Sequence, residues 1–178
     1  QSEFREFFKW TRTMSGSILV TGNLGYIGSE LVKSLTKKYN VVGVDANYFD
    51  NPIVKNDYNI KQYTFDIRNI DYEKIFSENK IRFIIHLANI SNDPMGEIDS
   101  SFTKNINLDA SYKLFCNADK YKVDYFINYS SCSVYGFNPN IEYMDESCPT
   151  NPLSEYAKCK ILFEEKIKSF RKSKIKYI

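Results

Sequence analysis

The feature that most constrains the fold is a set of three glycines, spaced three residues apart, between a predicted strand and a predicted helix. Gly22, Gly25 and Gly28 follow the apolar run at 18–20, and a helical repeat of apolar residues begins at once. Such a turn exposes the backbone N–H groups of the first helical turn, with no Cβ to keep a phosphate away. The positive end of the helix dipole favours the phosphate charge. The pattern therefore predicts a dinucleotide pyrophosphate site.

An acidic residue follows the second predicted strand at the distance that a dinucleotide site requires. The apolar run at 41–44 ends in Asp45, which lies 23 residues after Gly22. From that position a carboxylate can accept hydrogen bonds from both hydroxyl groups of an adenosine ribose. Glycines, flanking strand and helix, and acid together indicate a dinucleotide-binding unit more strongly than the glycines alone.

Predicted strands and helices alternate along the chain, which indicates an α/β fold with a parallel sheet covered by helices on both faces. Strands are predicted at 17–22, 41–45, 61–65, 82–88, 124–130 and 174–178. Helices are predicted at 26–39, 70–79, 98–121 and 154–173. We therefore expect residues 15–178 to form a Rossmann-type doubly wound domain that the sequence truncates in its sixth strand.

Residues 1–14 precede this pattern and carry several aromatic residues: Phe4, Phe7, Phe8 and Trp10. They could form one apolar face of a short helix. We interpret this segment as an N-terminal extension or a vector-derived segment, and a partner-binding helix is the alternative.

Composition narrows the class of protein. The formal net charge of +2 is too small to imply a nucleic-acid partner, and no apolar stretch has the length of a membrane span. The 4 cysteines show no CxxC pairing and no histidine partners at metal-ligand spacing, so we expect free thiols, no metal site and a cytoplasmic location.

A tyrosine and a lysine share one face of the last predicted helix, because Tyr156 and Lys160 are four residues apart. A phenol in water loses its proton only near pH 10, and a nearby ammonium or a cationic nicotinamide ring favours the phenolate. The pair therefore predicts a proton acceptor for an alcohol that gives up a hydride. The alternative is two surface residues on a lysine-rich helix.

Four other polar residues lie at or just after the ends of predicted strands, where ligands bind in open α/β sheets. Ser130 and Ser131 end the fifth strand, and either hydroxyl could donate to an oxygen that is being oxidised or reduced, or could simply open a turn. Asp66 could accept from the adenine amino group or form a turn. His86 is the single histidine of the sequence, and we interpret it as part of the wall of the cofactor site rather than as a general base.

These motifs, in this order, resemble the extended short-chain dehydrogenase/reductases, specifically the NAD-dependent epimerase/dehydratase group that acts on nucleotide sugars. The resemblance rests on TGNLGYIG at 21–28, DIR at 66–68, HLA at 86–88, SSCSVYG at 130–136 and YAKCK at 156–160. It implies a Rossmann-type fold, tightly bound NAD and a catalytic trio of Ser131, Tyr156 and Lys160. It also implies that Asn107 lines the nicotinamide side, and that Asp45 with Asn47 favours NAD over NADP.

The resemblance implies a larger set of cofactor-binding residues, spread over the ends of several strands. They are Gly22, Gly25, Tyr26, Ile27, Gly28, Asp45, Asn47, Asp66, Ile67, Leu87, Ala88, Asn107, Tyr156 and Lys160. It further implies a nucleotide-sugar substrate and a homodimer formed through the helices at 98–121 and 154–173.

The sequence departs from the 4,6-dehydratases of this family, which carry an Asp-Glu pair directly after the catalytic Ser/Thr. Cys132 and Ser133 occupy those positions, and neither suits protonation of a leaving hydroxyl, so dehydration is disfavoured. Family members also continue beyond this length into a C-terminal substrate domain. We therefore interpret the chain as the NAD-binding part of a nucleotide-sugar 4-epimerase. The alternatives are a nucleotide-sugar reductase or dehydrogenase of the same family and a catalytically inactive NAD-binding fragment.

Overall fold

Six parallel strands form one sheet in the order β3-β2-β1-β4-β5-β6 in the computed structural model, which describes residues 15–48, 60–90, 99–137, 139, 143–170 and 173–178. The strands are β1 (Ser17–Thr21), β2 (Asn40–Asp45), β3 (Lys61–Thr64), β4 (Ile81–His86), β5 (Tyr125–Asn128) and β6 (Lys176–Tyr177). This order is that of a doubly wound dinucleotide-binding sheet, and it confirms the predicted fold class. The segment 1–14 and the predicted helix start at Ile98 lie outside the described residues.

Among the residues that the structure describes, four helices connect the strands. They are α1 (Tyr26–Leu35), α2 (Tyr72–Glu78), α3 and α4 (Glu155–Ser169). Helix α3 has three consecutive parts, α-helical at Ser100–Lys104, π-helical at Asn105–Ala110 and α-helical at Ser111–Lys120. Two 3₁₀ turns, Ile67–Asn69 and Cys132–Tyr135, follow β3 and β5.

Helices α1 and α4 are shorter than predicted, and both ends have a local cause. Helix α1 ends where the Thr36 hydroxyl donates to the Val32 carbonyl at 3.0 Å and the chain turns back on the Leu35 carbonyl. Helix α4 ends where Phe170 leaves the helical conformation and packs its ring edge-on against Phe115, with centroids 5.8 Å apart. Apolar periodicity alone continues past both points.

Buried side chains lie on both faces of the central strand β1, as the alternation of a covered parallel sheet requires. Leu19 belongs to a cluster that includes Leu114 of α3 and Phe163 of α4. On the other face, Ile18 belongs to a cluster that includes Val32 of α1. The sheet is therefore enclosed, and the carboxyl ends of its strands form the edge that remains for a ligand.

Within the described part of the chain, no helix is long and apolar enough to cross a membrane. The same residues contain no group of three His, Cys, Asp or Glu side chains that could hold a metal ion. All four cysteines are free thiols: Cys116, Cys132, Cys148 and Cys159.

Candidate cofactor and active site

A cavity of about 820 Å³ opens at the carboxyl ends of the strands, where the sheet order reverses between β1 and β4. It extends from the glycine turn and the end of β2 to the first turns of α4. All but one of the predicted cofactor-binding residues line it: Gly22, Gly25, Tyr26, Ile27, Gly28, Asp45, Asn47, Asp66, Ile67, Leu87, Ala88, Tyr156 and Lys160. The exception is Asn107, and the predicted Ser131 is also absent from the lining.

The three positions of the turn differ in why they need glycine. Gly22 has φ +73° and a Cβ there would lie 2.7 Å from the Ala88 backbone nitrogen, so both conformation and space require glycine. A Cβ on Gly28 would lie 2.1 Å from the Gly22 carbonyl oxygen. A Cβ on Gly25 would meet only that same oxygen, at 3.3 Å. Packing therefore does not require glycine at position 25, and the absence of a side chain there leaves the backbone accessible from the cavity.

Helix α1 begins at Tyr26 and Gly25 is its N-cap residue, without a side chain to cap the first N–H groups. Orphan N–H groups at a helix N-terminus attract anions, and the wall of the cavity here is bare backbone. The turn thus fits the pyrophosphate of the predicted NAD.

Asp45 is held rigidly at the end of β2. Its Oδ2 accepts from the Leu24 backbone N–H at 3.0 Å and its Oδ1 accepts from the Asn47 backbone N–H at 2.8 Å. Asn47 adopts a left-handed conformation with φ 55°, and its buried Oδ1 has no hydrogen-bond partner among the residues described. A buried acceptor without a partner is costly, so these two side chains together fit the hydroxyl groups of a ribose.

Asp66 lies beside this ribose position because the Phe65 backbone N–H donates to the Asp45 carbonyl at 3.0 Å. Asp66 caps the 3₁₀ turn Ile67–Asn69, and its carboxylate accepts from Arg68 and from the Tyr48 hydroxyl. These bonds, above all those from Arg68, hold the pKa of the Asp66 carboxyl well below its usual range.

Lys160 lies in the cavity wall with only 3% of its surface exposed. Its Nζ donates to the Tyr129 carbonyl at 2.6 Å and lies 5.5 Å from the centre of the Tyr156 ring. Burial lowers the pKa of Lys160 to about 8, although the Glu164 carboxylate opposes the shift. An ammonium has three donors and the Tyr129 carbonyl accepts one of them, which leaves Lys160 donor capacity for a ligand in the cavity.

The two serines after β5 differ in how their protons are used. Ser130 lines the cavity, and its hydroxyl donates to the Glu164 carboxylate at 2.6 Å. Ser131 caps the 3₁₀ turn Cys132–Tyr135, and its Oγ accepts from the Ser133 N–H at 3.2 Å and from the Ser133 hydroxyl at 2.9 Å. With its acceptor positions filled, the Ser131 hydroxyl is oriented to donate.

Asn107 lies in the π-helical part of α3 and is 1% exposed. Its side-chain amide pairs with the backbone of Ile90 in both directions, accepting from the N–H at 2.8 Å and donating to the carbonyl at 2.9 Å. In this structure Asn107 therefore shapes the cavity indirectly, by fixing the segment after β4. Spacing could not show this, because the partner is main chain 17 residues away.

His86 is completely buried at the end of β4. Its Nδ1 lies 2.7 Å from the Thr21 hydroxyl and its Nε2 lies 2.8 Å from the Ser111 hydroxyl, which in turn donates to the Ile106 carbonyl at 3.1 Å. Burial, with a smaller effect of the Lys160 charge, lowers the pKa of His86 to about 3. A neutral imidazole thus links β1, β4 and α3 beneath the cavity.

Several cavity residues were not predicted from the sequence. Among them are Tyr48, whose side chain is 64% exposed, and Asn89, whose buried Nδ2 has no partner among the described residues. Both lie close to predicted residues in the chain, three after Asp45 and one after Ala88. Their closeness to the predicted strand ends is the only feature of the sequence that could have identified them as cavity residues.

Comparison with known proteins identifies the family of this chain. The family model described as "NAD dependent epimerase/dehydratase family" matches residues 18–178. A putative UDP-glucose 4-epimerase of Methanocaldococcus jannaschii is 33% identical over 159 residues, which cover 87% of this chain and 51% of the relative.

Two solved structures have the same fold. The UDP-N-acetylglucosamine 4-epimerase of Methanobrevibacter ruminantium M1, in complex with UDP-N-acetylmuramic acid, is 30% identical with a TM-score of 0.82, covering 93% of this chain and 54% of that one. The UDP-glucose 4-epimerase of Thermus thermophilus, in complex with NAD, is 25% identical with a TM-score of 0.81, covering 90% and 53%. The chain spans about half the length of these proteins. A turn that fits a pyrophosphate, a fixed ribose acid and a family-model match over most of the sequence agree, and the chain belongs to the NAD-dependent epimerase/dehydratase family, with NAD as its cofactor.

Proposed function

We propose that this chain is the cofactor-binding part of a nucleotide-sugar 4-epimerase that uses Ser131, Tyr156 and Lys160. The observation that supports this best is the buried Lys160 ammonium 5.5 Å from the Tyr156 ring, in the same cavity as the glycine turn and Asp45. A binding module has no need of a desolvated lysine beside a phenol, whereas hydride chemistry on an alcohol does.

In the proposed reaction, NAD held at the glycine turn, Asp45 and Lys160 would supply the acceptor for a sugar hydride and the donor for its return. Tyr156, as phenolate, takes the proton of the sugar 4-hydroxyl, and the Lys160 charge favours that phenolate. The remaining donors of Lys160 hold the cofactor ribose. The Ser131 hydroxyl donates to the sugar 4-oxygen while negative charge develops there. Rotation of the resulting 4-keto sugar, followed by return of hydride and proton, inverts the centre.

The alternatives differ in what they do with the hydride. A nucleotide-sugar reductase or dehydrogenase consumes or releases NADH, whereas an epimerase shows no net change. Dehydration is disfavoured because Cys132 and Ser133 occupy the positions where an acid/base pair would be needed. The Ser133 hydroxyl also donates a hydrogen bond to Ser131. An inactive NAD-binding fragment binds the cofactor and turns over nothing.

The first experiment compares the melting of the 178-residue chain with and without NAD. At about a hundredfold excess over the dissociation constant, binding raises the free energy of unfolding by roughly 3 kcal/mol. A folded chain whose melting temperature does not respond to NAD would contradict the proposed cofactor site.

The second experiment tests Tyr156→Phe in the intact enzyme, with UDP-glucose and UDP-N-acetylglucosamine as substrates and product epimer and NADH measured separately. We expect unchanged NAD binding and at least about a hundredfold loss of turnover, because proton transfer contributes that much. Tyr143→Phe, an exposed position outside the cavity lining, is the matched control. Normal turnover in Tyr156→Phe would refute the mechanism, and net NADH formation would favour the dehydrogenase.

A further inference from the structure

The Asp66 carboxylate has its hydrogen-bonding capacity filled by its own protein. Its Oδ1 accepts from the Arg68 backbone N–H and from Arg68 Nε, each at 2.9 Å. Its Oδ2 accepts from Arg68 Nη2 and from the Tyr48 hydroxyl, each at 2.6 Å. An ionised carboxylate offers about four acceptor positions, so a further donor can bind only where one of these leaves.

The four donors are not held equally. Arg68 is two residues from Asp66, uses two guanidinium nitrogens and rests on the Phe102 ring, with its Cζ 4.7 Å from the ring centre. Its backbone N–H belongs to the turn that Asp66 caps. Tyr48 reaches Asp66 from 18 residues away through one hydroxyl, and its side chain is 64% exposed. The Tyr48 hydroxyl is therefore the donor that is most easily displaced.

Asp66 lies where we expect the adenine end of NAD to bind. The ends of β2 and β3 are joined by the bond from Phe65 to Asp45, and Asp45, Asp66 and Tyr48 line one cavity. A ribose bound at Asp45 brings its base towards the neighbouring strand end. The adenine amino group is a donor, and the carboxylate beside it is already occupied.

We propose that the Tyr48 hydroxyl competes with the adenine amino group of NAD for the Oδ2 atom of Asp66, and that this competition lowers the affinity for the cofactor. Binding of NAD then requires the Tyr48 hydroxyl to leave Asp66, whereas Arg68 stays in place. Tyr48 thereby makes the cofactor more readily exchangeable without affecting the glycine turn or the Tyr156 region. The inference rests on the proposed placement of NAD, with its ribose at Asp45.

The test measures two ligands on the 178-residue chain by calorimetry, with Tyr48→Phe as the variant. The ligands are NAD and nicotinamide purine dinucleotide, in which a hydrogen atom replaces the adenine amino group and leaves no N–H donor to take the place of the Tyr48 hydroxyl. Tyr48→Phe keeps the ring and removes only the hydroxyl. Since a net hydrogen bond is worth about 0.5–1.5 kcal/mol, we expect NAD to bind about two- to tenfold more tightly to the variant.

The purine analogue should bind to both proteins with less than about a twofold difference, because it has no amino group to donate to Asp66 when the hydroxyl is removed. Tyr143→Phe, which is outside the cavity lining, should leave both affinities unchanged, and melting without ligand verifies that each variant folds. Unchanged or weaker NAD binding in Tyr48→Phe would overturn the proposal, and so would equal tightening of both ligands. Absence of NAD binding in the folded parent chain would instead overturn the placement of the cofactor.

Discussion

Gly25 and Gly28 lie three residues apart in one turn, yet substitution by alanine should affect stability very differently at the two positions. In Gly28→Ala the new Cβ would lie 2.1 Å from the Gly22 carbonyl oxygen and 2.7 Å from the Asn23 Cα. Both neighbours are backbone, so α1 or the turn must move by about 1 Å to restore ordinary contact. In Gly25→Ala the new Cβ would meet the same carbonyl oxygen at 3.3 Å, which needs a shift of only tenths of an ångström.

The expected magnitudes follow from these contacts. Overpacking of this kind costs typically about 1–3 kcal/mol, so Gly28→Ala should lower the free energy of unfolding by about 2 kcal/mol, or roughly 4–8 °C in Tm for a domain of this size. Gly25→Ala should stay within about 0.5 kcal/mol of the parent chain. Both variants should lose NAD affinity, Gly28→Ala because the turn is displaced and Gly25→Ala because its methyl group enters the cavity.

Urea denaturation of the three chains, without and with NAD, separates the two effects. We expect a lower midpoint only in Gly28→Ala without ligand, and stabilisation by NAD only in the parent chain. A Gly28→Ala chain that unfolds at the parent midpoint would refute the packing argument. A Gly25→Ala chain with full NAD affinity would refute the role of Gly25 in the phosphate cradle.

Three further predictions concern buried polar groups. Burial lowers the pKa of Lys160 from 10.5 to about 8. Between these two pH values the unfolded chain holds a proton that the folded chain has lost. The free energy of unfolding therefore rises with pH in this range, by at most roughly 1.4 kcal/mol per pH unit. Denaturation series should show that Lys160→Met abolishes this rise and the exposed Lys158→Met keeps it; equal slopes would contradict the burial argument. The pKa of His86 is lowered to about 3, so its imidazole NMR signals should not titrate between about pH 5 and pH 8, and a midpoint in that range would disprove its neutral role. Asn107→Ala leaves both backbone groups of Ile90 without their partner and should cost about 2 kcal/mol in urea denaturation, whereas a loss below about 0.5 kcal/mol would mean that water replaces the amide.

The glycine turn and the end of β2 show how much of the site could be predicted. Gly22, Gly25 and Asp45 were identified from spacing between apolar runs, and all three line the cavity. Spacing succeeds there because these residues lie at strand ends or in the turn directly after a strand, which places them at the carboxyl edge of the sheet. The strand and helix positions were also close, although local turns ended α1 and α4 early.

Asn107 and Asp66 show where such reasoning stops. Asn107 lies within the predicted helix α3, and Asp66 lies just after the predicted strand β3, as expected. Asn107, however, is hydrogen-bonded to the Ile90 backbone, and the Asp66 carboxylate accepts hydrogen bonds from Arg68 and Tyr48. A sequence pattern states which donors and acceptors exist, but not which of them are already paired within the protein.

The sequence by itself determined the alternation of strands and helices, the glycine turn, the place of Asp45 at the end of β2 and the Tyr156–Lys160 pair, because periodicity and four-residue spacing are local properties of a chain. Only the tertiary structure decided the charge environment of Lys160, which is 3% exposed and donates to the Tyr129 carbonyl 31 residues away. It also decided that His86 stays neutral and that the Tyr48 hydroxyl occupies Asp66. The burial of Lys160 and His86 and the bond from Tyr48 to Asp66 involve residues distant in sequence, so no local pattern can encode them.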